Sequence, residues 1–281
     1  MNYALKIAYN GEPFAGFQRQ SRHRTVQGEL EKALSQIFQS PIEIQAAGRT
    51  DAGVHGIGQV VAFSSTTQRP LKAIAEGCNG LLHSQVFVSE AALLPSESPF
   101  HPRYSAVSRT YSYYILSHCE GYSPTLWPNN VWCLAGHLDP QLAQSACGLF
   151  EGKHDFTTFT SRCDKEMRQR HVQAFTLEAL PHNGLWGGGK LWRLRITANG
   201  FLRKMVRLLT AAVVEVGIGL RSQESLAAKL QAQNPAEAPH PAPASGLYFE
   251  SVEYDPDPFD AKGPAAELYR ARTPLGLRFK A

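Results

Sequence analysis

Three groups of residues combine types and spacings that could do chemistry. The first lies between Ala46 and Gln59, where Arg49, Asp51 and His55 stand among four glycines, with apolar runs on either side. Glycine permits left-handed or closely packed backbone that other residues resist. The segment therefore reads as a tight, shaped loop that holds Arg49 and Asp51 at fixed positions. An ionised aspartate so held can act as a general base or as a nucleophile that forms an ester-like adduct. The competing reading is a surface turn in which Asp51 caps backbone amides and Arg49 is solvated. The second group is Arg109, Tyr111 and Tyr113 on one face of an alternating stretch. Aromatics interleaved with a cation can stack nucleic-acid bases, or they can form a half-buried core face with an arginine at its edge. The third is Arg203 and Arg207, four apart in a helical pattern and so aligned on one flank. They can bind phosphate, lie in solvent, or hold a carboxylate in its charged form. Asn199-Gly200-Phe201-Leu202 just ahead of them could turn backbone amides, Arg203 and Lys204 toward phosphates.

Bulk properties narrow the field. A chain of 281 residues, 43% hydrophobic and 19% charged, has the composition of a folded protein with ample core. The net charge is only +4, but between Ser161 and Arg207 ten Lys/Arg stand against three Asp/Glu, a local excess of seven positive charges. That excess is a candidate footprint for a polyanion, or else an ordinary solvated basic face. The N-terminus lacks a signal peptide's apolar core, and no apolar run approaches the roughly 20 residues of a membrane helix. The five cysteines, Cys78, Cys119, Cys133, Cys147 and Cys163, are odd in number and include no C-x-x-C pair. Reduced thiols in a cytoplasmic protein are expected, with neither a disulfide framework nor structural zinc. Gly56-Ile57-Gly58 does not extend to a dinucleotide fingerprint, and phosphate-loop, zinc-protease, zinc-deaminase and G-x-S-x-G motifs are missing. Side-chain chemistry without metal or cofactor is the expectation, with Asp51 its leading candidate.

The elements that must position these groups follow from periodicity. Tyr3, Leu5, Ile7 and Tyr9 alternate as a strand, and Thr25 can cap a helix with Val26, Leu30, Ala33, Leu34, Ile37 and Phe38 as its stripe. Short strands are expected at 42–46, 59–63 and 86–88, with a helix between Leu71 and Gly80. Strand, helix, strand, strand, helix, strand is a split βαβ plan. A second set begins at Val107: a strand to Leu116, a helix from Asp139-Pro140 with Leu142, Ala146, Leu149 and Phe150 inward, and strands through Phe175 and Trp192. The turn between these strands is read at 182–189. A long helix is then expected from about Phe201 to Val216, a last one from Ser222 to about Gln233, and a strand at Leu247–Phe249. The fold expectation is α+β, with two pseudo-symmetric ferredoxin-like halves whose mainly antiparallel sheets join into one extended mixed sheet around a central cleft. The halves are placed at residues 1–105 and 106–250, followed by a tail at 251–281.

The chain resembles the tRNA pseudouridine synthase A family. Tyr9-Asn10-Gly11, Gly16-Phe17-Gln18-Arg19-Gln20, Thr25-Val26-Gln27 and Leu30-Glu31 match its opening loop and helix. Gly48-Arg49-Thr50-Asp51-Ala52-Gly53-Val54-His55 matches its signature, Arg109-Thr110-Tyr111 its R-x-Y strand, and Phe201 to Arg207 its F-L-x-x-M-V-R helix. Pro243-Ala244-Ser245-Gly246-Leu247-Tyr248 matches its closing strand. The resemblance implies an isomerase that detaches uracil from ribose at N1, rotates it, and rejoins it through C5, without metal or cofactor. By the family pattern Asp51 is the nucleophile, attacking C1′ of the ribose or C6 of the ring. Arg207 pairs with Asp51, Tyr111 stacks on the uracil, and Arg49 fills the space that a flipped nucleotide leaves. Arg109, Arg203 and Leu247 complete the implied substrate contacts. The implied partner is tRNA, modified at uridines 38, 39 and 40 of the anticodon stem-loop by a cytoplasmic homodimer. Phe17 stands where the family commonly has tryptophan, and Gly56 where alanine is usual. No family motif covers Glu120 to Asn130 or the residues beyond Tyr254. The main rival is a tRNA-binding module on the same fold that has lost catalysis; a small-molecule enzyme with Asp51 as general base is the other. The rival without catalysis predicts a missing aspartate or arginine, whereas Asp51, Tyr111 and Arg207 are all present.

Overall fold

The computed structural model of the chain describes residues 1–117, 130–161, 168–181, 189–260 and 263–271. In chain order its elements are β1 (Asn2–Tyr9), α1 (Val26–Phe38), β2 (Gln45–Ala46), β3 (His55–Ser64), α2 (Leu71–Leu81), β4 (Val86–Leu94), β5 (Ala106–Ser117), β6 (Trp132–Cys133), α3 (Pro140–Gly148) and β7 (Gly152–Asp155). Then follow β8 (Gln169–Leu180), β9 (Lys190–Ala198), α4 (Met205–Gly217), α5 (Gln223–Ala232), β10 (Leu247–Tyr254) and β11 (Glu267–Arg270). The class is α+β. The chain divides into two units, Met1–Val107 with the residues from Phe249 on, and Ser108–Tyr248.

In the first unit the alternation of β1 seats it between two antiparallel neighbours. Leu5 lies opposite Val61 of β3 on one side and Ala91 of β4 on the other. β2 pairs with β3 through Ala46 and Val61, so the order β4-β1-β3-β2 is that of a split βαβ unit. Tyr3, Leu5, Ile7 and Phe63 from the sheet close a core with Leu30, Leu34 and Phe38 of α1 and with Leu71, Ile74 and Cys78 of α2. Tyr3 stacks on Phe63 at 5.1 Å and meets the edge of Phe38 at 5.6 Å. Each such fully buried side chain contributes about 1.5–3 kcal/mol. Thr25 caps α1 by accepting a hydrogen bond from Gly28 N at 3.2 Å. Residues after 250 contribute β11, which pairs with β4 through Tyr269 and Ala91. Four residues of weak alternation carry too little period-two signal to be seen in sequence.

The second unit is built on β5-β9-β8-β7, each pair antiparallel, with β6 parallel to β5 through Ile115 and Trp132. Trp192, Leu194, Ile196 and Ala198 of β9 are buried, as their alternation requires. Asp139 caps α3, its Oδ1 accepting from Gln141 N at 2.8 Å and Leu142 N at 3.1 Å. The expected inward stripe of α3 holds at Ala146 and Phe150 but not at Leu142. Ala143, Ala146 and Cys147 are buried and Leu142 is exposed, because α3 approaches α4 through small residues: a Cβ at Gly217 would sit 2.5 Å from Leu138 and 3.1 Å from Ala143.

A second correction concerns the basic helix. α4 begins at Met205, not Phe201, and Lys204 ahead of it is left-handed at φ 61°. The Arg203 carbonyl accepts from Ser161 N at 3.2 Å, outside any helical ladder. Arg203 and Arg207 are therefore not a pair on one helix flank. The expected turn at 182–188 lies outside the described residues, as do Cys119 and Cys163. Cys78 and Cys147 are buried free thiols.

Candidate active site

In the first unit, the glycine-rich segment is a loop only from Ala47 to Val54, because His55 to Gly58 already belong to β3. Its shape is enforced from several sides. Ala47 N donates to Val60 O at 2.9 Å, and Gln59 Nε2 donates to Gly48 O at 2.9 Å. Thr50 is buried, its hydroxyl 2.9 Å from the Tyr9 hydroxyl and its carbonyl accepting from Phe17 N at 3.0 Å. Val54 N closes a turn on Asp51 O at 3.2 Å, with Gly53 at φ 79°. Backbone from elsewhere approaches so closely that side chains are excluded. A Cβ at Gly11 would lie 2.1 Å from Val54 O, and one at Gly58 would lie 2.2 Å from Glu250 O. Thr50 is thus the inward residue, and on either side of it Arg49 is exposed and Asp51 half-buried. The backbone on which Arg49 and Asp51 stand is thus held in place from several sides.

Burial pushes the Tyr9 phenol up to about 12, against hydrogen bonds from Thr50 and Gln59 that act the other way. Tyr9 is accordingly a neutral hydroxyl at any physiological pH, suited to holding Thr50 and hence the backbone before Asp51. Its part is invisible to strand periodicity, which marks it only as one more apolar position; the signal available was Asn10-Gly11 directly after it.

In the second unit, β5 and the segment entering α4 carry the remaining expected residues. Arg109 donates from its Nη1 to Asn199 O at 2.9 Å, while Asn199 Oδ1 accepts from His171 N at 3.0 Å. Tyr111 is buried, with the Phe201 ring edge-on at 5.0 Å. Tyr113 does not extend the face as a stacking surface. It is buried, donates to Pro243 O at 2.7 Å, and has the Trp132 ring edge-on at 6.0 Å. Burial raises its phenol, while the nearby charge of Arg207 acts in the opposite sense. Arg207 Nε donates to Ala242 O at 2.7 Å, and Ala242 N returns a bond to Arg207 O at 3.1 Å. That two-way link fixes the guanidinium stem to the segment that leads into β10. Gly246 allows this segment to lie against the Tyr113 ring, where a Cβ would come within 2.6 Å, and it places the buried Leu247. Arg203 is exposed at the turn before α4. So Arg109, Tyr111, Arg207 and Leu247 are tied to one structural neighbourhood through Asn199, Phe201, Ala242 and Gly246. Among the described residues no group of three or more His, Cys, Asp or Glu could hold a metal ion. Among the described residues no helix is long and apolar enough to cross a membrane.

Comparison with known proteins shows the family of the chain. The family model described as tRNA pseudouridine synthase matches residues 6–105 and 146–255. A tRNA pseudouridine synthase A from Vibrio cholerae is 38% identical over 255 residues, covering 90% of this chain and 92% of the relative. The protein of that name from Francisella tularensis subsp. novicida is 36% identical over 90% of this chain and 94% of its own. That from Thermodesulfovibrio yellowstonii is 34% identical over 90% of this chain and all of its own, 100%. Among solved structures, an archaeal box H/ACA sRNP Nop10–Cbf5 complex aligns with a TM-score of 0.34 at 14% identity, over 76% of this chain and 44% of that one. On the family match and the curated relatives, this chain belongs to the tRNA pseudouridine synthase family.

Proposed function

We propose that the enzyme isomerises uridine to pseudouridine at positions 38, 39 and 40 of the tRNA anticodon stem-loop, with Asp51 as the nucleophile. The observation that carries this reading is the clamped loop from Ala47 to Val54. It holds a half-buried carboxylate on immobile backbone within a chain of this family. The reaction breaks the C1′–N1 bond and forms C1′–C5. C5 loses a proton and N1 gains one, so composition is unchanged and no redox partner is needed. Asp51 attacks C1′ of the ribose or C6 of the ring, and either adduct requires the carboxylate ionised.

Arg207 is assigned the role of holding that carboxylate charged and oriented, for which its anchored stem suits it. Tyr111 stacks on the uracil; its ring is already oriented by Phe201. Arg49, exposed beside Asp51, fills the stem when the nucleotide leaves it. Arg109, Arg203 and Leu247 contact the surrounding RNA and base. The working form is a cytoplasmic homodimer acting on tRNA.

The experiment is pseudouridine formation by purified enzyme on an unmodified tRNA transcript. Asp51→Ala is expected to form none while retaining tRNA binding. Full activity in that variant would remove Asp51 from the chemistry. Binding without activity in the wild-type protein would favour the rival, a tRNA-binding module without catalysis.

A further inference from the structure

The link between β4 and β5 carries a feature that none of the assigned roles uses. Tyr104 is 76% exposed, the most exposed large hydrophobic side chain among the described residues, yet the turn bearing it is tightly built. Ser105 N donates to His101 O at 2.9 Å and His101 N donates to Ser105 Oγ at 3.0 Å. His101 Nδ1 accepts from both Arg103 N at 3.0 Å and Tyr104 N at 3.3 Å. The buried Tyr254 hydroxyl donates to Pro102 O at 2.8 Å, and the Tyr254 ring meets Phe100 at 4.9 Å. Partial burial, opposed by a backbone hydrogen bond and helped to a smaller extent by the charge of Arg103, holds the His101 pKa below its ordinary value. Nδ1 therefore stays an acceptor at neutral pH and the turn keeps its shape.

The side chains displayed by this frame are matched to one kind of ligand. The His101 ring backs Tyr104 at 4.3 Å, and the Arg103 guanidinium lies 5.7 Å from the Tyr104 ring centre. Arg103 is itself exposed. A fixed, solvent-facing aromatic beside a cation adds little to the core, but it offers a π-face for a base and a charge for the adjoining phosphate.

We propose that the His101–Tyr104 turn is an RNA contact of this enzyme, with Tyr104 stacking on an unpaired base and Arg103 pairing with its phosphate. The proposal rests on the reading of the protein as a tRNA-modifying enzyme. No role assigned to Asp51, Arg207 or Tyr111 uses this turn, so Tyr104 is expected to act on binding and not on the chemical step.

The test is tRNA affinity by filter binding, together with steady-state kinetics, for wild type, Tyr104→Ala, Tyr104→Phe and Arg103→Gln. Tyr104→Ala should raise Kd and KM for tRNA about tenfold, with kcat within about twofold of wild type. Tyr104→Phe should restore wild-type affinity, since the ring and not the hydroxyl makes the contact. Arg103→Gln should reduce the slope of log affinity against log salt by about one. Unchanged thermal unfolding of the variants would show that each is folded, as expected for such exposed positions. Wild-type affinity in Tyr104→Ala overturns the proposal even if the enzyme makes pseudouridine. Lost affinity in that variant supports it even if the functional reading were to fail for want of activity.

Discussion

The Asp51 loop and the entrance to α4 both belong to the proposed chemistry, yet they are fixed by opposite means. Around Asp51 the backbone is held by what cannot be added. Gly11 and Gly58 admit main-chain atoms where any side chain would collide, and Thr50 is drawn inward to Tyr9. Ahead of α4 the backbone is held by what the side chains reach. Lys204 takes a left-handed conformation that a glycine would adopt more readily, and Arg207 grips Ala242. The first region trades side chains for precision of the main chain. The second keeps its charges and accepts local strain. The proposed nucleophile, carried on the main chain's own geometry, tolerates little change, whereas a cationic segment has room for graded adjustment.

That contrast sets an order of effects. Gly11→Ala should cost about 4 kcal/mol, read from the denaturant midpoint, since the new Cβ would meet a carbonyl that cannot move without the loop. A cost below about 1 kcal/mol would show that the loop is not clamped. Arg207→Ala should lower kcat about 100-fold, or about 2.7 kcal/mol, with Arg207→Lys recovering only part because ammonium cannot reproduce the anchored fork. Tyr9 supplies a pH test of the same comparison. Its folded pKa, about 12, lies above the ordinary 10.0, so the folded state keeps a proton that the unfolded chain releases. This contribution is complete below pH 10 and is lost as pH rises from 10 toward 12, by up to about 2.5 kcal/mol. Tyr9→Phe should flatten that part of the alkaline loss. Smallest, Lys204→Gly should stabilise by at most about 1 kcal/mol as strain is relieved. A destabilised variant would mean that the left-handed turn is held by the lysine side chain.

The same contrast explains what the sequence could reveal. Glycines, Thr50 and Asp51 mark the first region by composition, so its shaped loop was legible before any coordinates, as were the caps at Thr25 and Asp139. The start of α4 was not. Phe201 to Val216 has continuous helical periodicity, and nothing in a lysine announces a left-handed residue; the break depends on Ser161 reaching the Arg203 carbonyl across the fold. Alternation could not choose between a stacking face and a core face at Tyr113 for a related reason. Alternation gives the face of a strand, but the partner that buries the residue, Pro243, is far away in sequence. The division within β10 was likewise hidden, since nothing in its eight residues marks where one unit ends. Leu142 shows the limit on helices, where periodicity finds a stripe but small residues on the facing helix decide which side closes.

The most direct test of the central claim is to map pseudouridine, position by position, in tRNA from cells lacking this protein and from the same cells supplied with wild type or Asp51→Asn. The account predicts loss confined to positions 38, 39 and 40, restored by wild type and not by Asp51→Asn. Modification at those positions that persists without the protein, or that Asp51→Asn restores, would contradict it.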